Sequence, residues 1–150
     1  MKREIKFRGK TVPDGRWVYG YYVVMENETK TVTRHAIMDL WDKENQYIKD
    51  GKSYHMSVSV VEADTVGQFT GLRDKNGKEI YDGDIVRYHM HGRGIHESEY
   101  QTGLVEFGGG RFYADLDCST LYFCGDSEDY EVIGNKWDNP ELLKGGEKWI

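Results

Sequence analysis

Three histidines at close spacing, His89-Met90-His91 followed by His96, are the residues whose types and spacing come nearest to metal chemistry. On a strand, alternate side chains share a face, so His89 and His91 would project together as two imidazole ligands require. Glu97 or Glu99 would have to complete the set. The stretch 89–101, however, is polar and without apolar alternation, the composition of a long surface loop. Metal ligands need hydrogen-bonded partners behind them to hold their orientation, which such a loop does not supply. The favoured reading is therefore a loop whose histidines titrate: no metal and no cofactor, with His89, His91 and His96 as the candidates for a metal-dependent enzyme, the second alternative.

Other chemical motifs fail on their own spacing. Asp74-Lys75-Asn76-Gly77 resembles part of a calcium loop, but placing Gly77 at the sixth position puts Leu72 first and Gly83 twelfth, and neither can ligate. Gly108-Gly109-Gly110 has neither a following Lys-Ser/Thr pair nor a following helix pattern, so it lacks the geometry of a phosphate cradle. Cys118 and Cys124 have no partners at redox or zinc spacing and read as small apolar residues in or near the core. A Cys–His nucleophile pair has no support in the spacing.

The one basic concentration lies at the start, in Lys2, Arg3, Lys6, Arg8 and Lys10. On a strand, Lys6 and Arg8 share a face opposite Ile5 and Phe7. With Trp17, Tyr19 and Tyr21 as stacking surfaces, Lys6 and Arg8 form a candidate binding set for nucleic acid. The competing and preferred reading is an edge strand guarded by charge, beside a sheet whose tyrosines pack the core. Trp149 and Ile150, after Gly145-Gly146, form an apolar tip that docks on a neighbouring subunit or frays.

The 150-residue chain suits one domain or two small lobes, and at this size it can bury about 70% of its unfolded surface without disulfide or metal. Its 38% hydrophobic and 13% aromatic content is too rich for a disordered chain, although 31% of residues are charged. Eleven tyrosines lean toward strands and 18 glycines toward many turns. A net charge of −6 disfavours sequence-independent binding to phosphate backbones or anionic lipid. There is no long apolar run for a membrane span and no secretory pattern at the start. With only two cysteines, the expected compartment is a reducing cytoplasm.

The elements that would position these residues are mostly strands. Ile5-Lys6-Phe7-Arg8-Gly9 alternates, Pro13-Asp14-Gly15 turns, and residues 16–24 return as a long strand with Trp17, Tyr19 and Tyr21 on one face. A third strand starts over residues 30–33, and 57–61 is a strand by alternation and β-branching. Residues 36–48 remain open: Ile37, Leu40, Trp41, Tyr47 and Ile48 fit a short amphipathic helix, while Ile37 and Met38 equally end a strand. Residues 65–72 are strand-like, Asn76-Gly77 is a hairpin turn, residues 79–81 return, Asp82-Gly83-Asp84 turns again, and residues 85–88 begin another strand. Residues 102–107 and 111–114 form a hairpin around Gly108-Gly109-Gly110, with strands at 121–123 and 130–134. Asn139-Pro140-Glu141 has an N-cap residue, proline at the first position and an acid in the first turn, predicting one short closing helix.

The segment from Thr65-Val66-Gly67-Gln68-Phe69-Thr70-Gly71-Leu72 through Arg73-Asp74-Lys75-Asn76-Gly77-Lys78-Glu79-Ile80-Tyr81 to Asp82-Gly83-Asp84-Ile85-Val86 resembles the signature of the YopX family. Ile5-Lys6-Phe7-Arg8 with Gly15-Arg16-Trp17-Val18-Tyr19-Gly20 resembles the family's opening. Val132-Ile133-Gly134-Asn135 with Asn139-Pro140-Glu141-Leu142-Leu143 resembles its close. Only residues 89–101 and the tail after Lys144 fall outside the likeness. The resemblance implies a small protein of bacteriophages and prophages, without an assigned biochemical role, and a β-rich fold whose later half is similar to a Src-homology-3-type barrel. It brings no catalytic or binding residues, and barrels of that kind host many functions.

The expected architecture is thus mainly β: an antiparallel N-terminal lobe over residues 1–66, a small SH3-like barrel lobe with a closing helix over 67–144, and a flexible tail over 145–150. The expected function is that of a non-catalytic phage or prophage accessory module in the cytoplasm of a bacterial host. It would form a homo-oligomer and engage an unidentified host or phage protein, with no membrane partner. The first alternative is a nucleic-acid-binding protein using the basic N-terminal strand.

Overall fold

A computed structural model of the chain describes residues 3–39, 56–89, 100–116, 119–123 and 129–143. The described strands are all antiparallel and fall into two sheets, and the chain divides into two units, Met1–Gln68 and Phe69–Ile150. A mainly β chain is therefore found, as alternation and turn chemistry predict. No helix among the described residues is long and apolar enough to cross a membrane.

In the first unit, β1 (Phe7–Lys10), β2 (Trp17–Glu26), β3 (Thr33–Asp39) and β4 (Ser57–Val60) follow one another as neighbours. The β1–β2 hairpin is set by Gly15 at φ 63° and by Thr11, whose amide donates to the Arg16 carbonyl and whose hydroxyl oxygen accepts from the Arg16 amide. Residues 27–32 form a turn instead of starting the third strand: Asn27 Oδ1 accepts from the amides of Thr31 (2.8 Å) and Val32 (3.0 Å). Ala36, Ile37 and Met38 lie within β3, which decides the first part of 36–48 in favour of strand. Residues 40–48 lie outside the described residues, as do Cys118, Cys124, Trp149 and Ile150.

A first correction concerns β1, expected at a sheet edge. Its other side pairs with the start of β5 (Gly67–Arg73) through Phe7↔Gln68 and Arg8↔Gly67, so it is an inner strand. Beyond it the chain is stitched to residues 60–65. Thr65 Oγ1 accepts from the Lys10 amide at 2.8 Å and donates to the Glu62 carbonyl at 2.7 Å, closing a 3-10 turn, Ala63–Thr65. Ala36, Ile37 and Val61 supply the buried apolar groups of this unit, and Val61 packs so closely on Gly9 that a side chain there would touch it at 3.0 Å.

In the second unit, the rest of β5 pairs with β6 (Glu79–Tyr81) across an irregularity at residues 70–72. The larger sheet has the order β10-β9-β8-β7-β11, from β7 (Asp84–His89), β8 (Tyr100–Gly108), β9 (Arg111–Leu116), β10 (Ser119–Tyr122) and β11 (Tyr130–Asn135). Alternation delivers Val86, Val105, Ala114, Leu116 and Tyr130 to one face, where they bury against Ile80. The second correction is that these strands do not close. β10 and β11 stand at opposite edges, and no pair joins them among the described residues, so an open sheet stands where a small barrel is expected. Closure needs enough tilt and stagger to bring the edges into register, and no such register is made among the described residues. The closing helix is found as one 3-10 turn, Pro140–Leu143, and Asn139 turns its side-chain oxygen back to the Asn135 amide.

Candidate functional site

The register of the first unit decides which candidate side chains can act together. Arg8 lies opposite Tyr19 and Lys10 opposite Trp17, so Arg8, Lys10, Trp17, Tyr19 and Tyr21 share one face. Lys6 precedes the strand and pairs with Glu4 at 3.2 Å. Arg8 is only 5% exposed, with its guanidinium 4.6 Å above the Trp17 ring, and Lys10 approaches the same ring at 5.6 Å. Such contacts contribute roughly 0.5–2 kcal/mol according to desolvation. Trp17 is thus occupied by the protein's own cations.

Tyr19 and Tyr21, in contrast, are 44% and 51% exposed. The face continues along the row Tyr21–Met38–Val58 and the row Val23–Ala36–Val60, with Met25 further along β2. Met25, Val58 and Val60 are exposed as well, while Ala36 is fully buried. Single exposed apolar residues are ordinary, but adjacent ones on one sheet face make a patch. Sequence alone misses Met25, Val58 and Val60 in this role. The alternation in Ser57-Val58-Ser59-Val60 is visible there, but not which side faces water.

The histidine candidates divide differently. His89 ends β7 and stacks on Tyr100 at 4.9 Å, while His91 and His96 lie outside the described residues. Among the described residues no group of three His, Cys, Asp or Glu side chains is arranged to hold a metal. Beside His89, Arg87 lies 5.2 Å over Tyr100 and bonds Glu131 at 2.6 Å, and Lys75 reaches Glu131 at 3.4 Å.

The Arg87 hydrogen bond, aided by Lys75, holds the Glu131 carboxyl below its usual pKa, and Glu131 in turn raises that of Arg87. A carboxyl depressed in the folded state stabilises above its unfolded pKa, and that contribution is lost as pH falls through the folded value. The pair is solvent-exposed, so its share of stability is small. NMR titration is expected to give Glu131 a midpoint below that of an unpaired glutamate, and Arg87→Gln should move it up. A midpoint unchanged by Arg87→Gln would show that the pair does not persist in solution.

Two antiparallel sheets, with an aromatic face on the first, define a mainly β protein rather than a doubly wound α/β one. The chain belongs to the YopX family, whose model, described as YopX protein, matches residues 6–144. Among solved structures it is similar to protein EF1440 from Enterococcus faecalis, at 22% identity and a TM-score of 0.52, covering 95% of this chain and 99% of that one. At that identity the likeness is one of fold alone. A comparison with curated proteins finds no match.

Proposed function

We propose that the protein acts by binding, as a non-catalytic phage or prophage accessory module whose contact surface is the outer face of β2, β3 and β4. The observation that carries this is the exposed row of Tyr19, Tyr21, Met25, Val58 and Val60 on one face of one sheet. Tyrosine suits such a surface, since it gives a large apolar area with a polar tip and loses little entropy when fixed. The partner favoured is a second copy of the chain, a self-contact to which apolar side chains contribute without placing like charges opposite each other. A cytoplasmic site in a bacterial host agrees with a chain of 150 residues and only two cysteines.

Sedimentation velocity across a range of concentrations tests this directly. Wild-type protein should sediment as a larger species as concentration rises, and Tyr21→Glu/Val58→Glu should remain a monomer with unchanged circular dichroism. A wild type monomeric throughout, or a variant that associates equally well, removes self-association from the proposal.

Nucleic-acid binding by the basic strand is the weaker reading. Arg8 is buried against Trp17, Lys6 is paired with Glu4, and the chain carries a net charge of −6. Binding to DNA or RNA that weakens with rising salt would reverse that ranking, because phosphate contacts must release counterions.

A further inference from the structure

Asn76-Gly77 joins a side-chain amide to a following residue without a Cβ, which is the pair most open to attack on the asparagine by its neighbour's backbone nitrogen. Both residues are exposed, and Gly77 holds φ at 80° with open space around it. The turn is nevertheless restrained from within. The Gly77 amide, the nucleophile in question, donates to the Asp74 carbonyl at 2.9 Å. Asp74 Oδ1 accepts from the amides of Asn76 at 2.8 Å and Lys78 at 2.9 Å, and its Oδ2 accepts from the Val132 amide at 2.9 Å. Lys75 donates to the Tyr130 carbonyl at 3.0 Å, so the turn is also pinned to β11 through the backbone.

We infer that Asn76 is a site of spontaneous deamidation whose rate is governed by the Asp74 clamp. In the reaction the Gly77 nitrogen loses its proton to solvent base and forms a bond to Asn76 Cγ. The Cγ–N bond of the side-chain amide breaks and ammonia leaves. Water then opens the cyclic imide at one carbonyl or the other, giving aspartate or isoaspartate. The sum is amide plus water to carboxylic acid plus ammonia, with no oxidant, reductant or cofactor.

Attack requires the Gly77 N–H to leave the Asp74 carbonyl and the Asn76 backbone to rotate, which is a local opening of the hairpin. The isoaspartate product adds one carbon to the main chain between residues 76 and 77. That lengthening misplaces the amides of Asn76 and Lys78 relative to Asp74 Oδ1, so each modified molecule has a weakened clamp.

Peptide mass spectrometry after incubation of the full chain in mildly alkaline buffer reads the conversion. Folded wild type should deamidate at Asn76 at least about tenfold more slowly than the same chain in urea, a factor equal to about 1.4 kcal/mol of opening. Folded Asp74→Ala should lie closer to the urea rate. If that variant does not fold, the wild-type comparison with and without urea decides alone. Equal rates for folded and unfolded wild type, or a folded Asp74→Ala no faster than wild type, would overturn the inference. So would an Asn76 that stays unmodified in urea.

Discussion

Gly83→Val is expected to destabilise the second unit far more than Gly77→Val, although both glycines sit at nearly the same backbone angle. Gly83 has φ 88° and Gly77 has φ 80°, in the left-handed region that a β-branched residue tolerates worst. At Gly77 a side chain would meet nothing within 4 Å, so the penalty there is conformational, about 1–3 kcal/mol. At Gly83 the first side-chain carbon would land inside the Trp137 indole. Gly83 cannot retreat, because its amide donates to the Val105 carbonyl at 2.8 Å and its carbonyl accepts from the Lys136 amide at 3.0 Å. Overpacking of this kind adds roughly 1–3 kcal/mol or more. Together the two terms approach the lower part of the ~5–15 kcal/mol that stabilises an ordinary domain. Urea unfolding should show a modest midpoint drop for Gly77→Val and loss of the cooperative transition, or a very large drop, for Gly83→Val. Trp137→Ala should restore part of the stability lost in Gly83→Ala; strict additivity would mean the indole is not what excludes a side chain there.

These two glycines also mark how far the sequence can be read. Asn76-Gly77 and Asp82-Gly83-Asp84 announce turns because the need for positive φ is local, and both turns are present where expected. That one glycine also has to make room for Trp137, more than fifty positions later, is a tertiary fact with no local signal. The position of β1 follows the same pattern. Its alternation identifies a strand, but whether a strand is at an edge depends on which distant segment pairs with it. Here the start of β5 fills that side. Glu26-Asn27-Glu28 signals a turn locally, but the reach of the Asn27 side chain to the amides of Thr31 and Val32, which holds β3 back to Thr33, has no such signal.

The candidate site is legible to a similar depth. Period-two spacing puts Trp17, Tyr19 and Tyr21 on one face, and the register agrees. What distinguishes them is burial: Trp17 lies beneath two cations, whereas Tyr19 and Tyr21 face water. Composition cannot distinguish them, because all three aromatics are equally able to stack. The exposed face therefore runs over β2 and β4 and not over the basic strand.

Asp74→Ala is expected to have the second large effect, through the loss of a single carboxylate. Asp74 is 5% exposed and accepts three backbone amides, two within its own turn and one from Val132 on β11. Hydrogen bonds to a charged acceptor contribute roughly 1.5–3 kcal/mol each, partly offset by the desolvation of the carboxylate that disappears with it. A net loss of about 3 kcal/mol follows, with the Val132 amide left half-buried and without its acceptor. Asp74→Asn separates the two roles. Its remaining oxygen can still accept from Asn76 and Lys78, but its amide nitrogen would face the Val132 N–H, donor against donor. Hydrogen exchange should therefore accelerate at Val132 in both variants, yet at Asn76 and Lys78 only in Asp74→Ala. Unchanged Val132 protection in Asp74→Asn would mean that the backbone bond from Lys75 to Tyr130 is enough to hold the turn on β11, and that the carboxylate serves the turn alone.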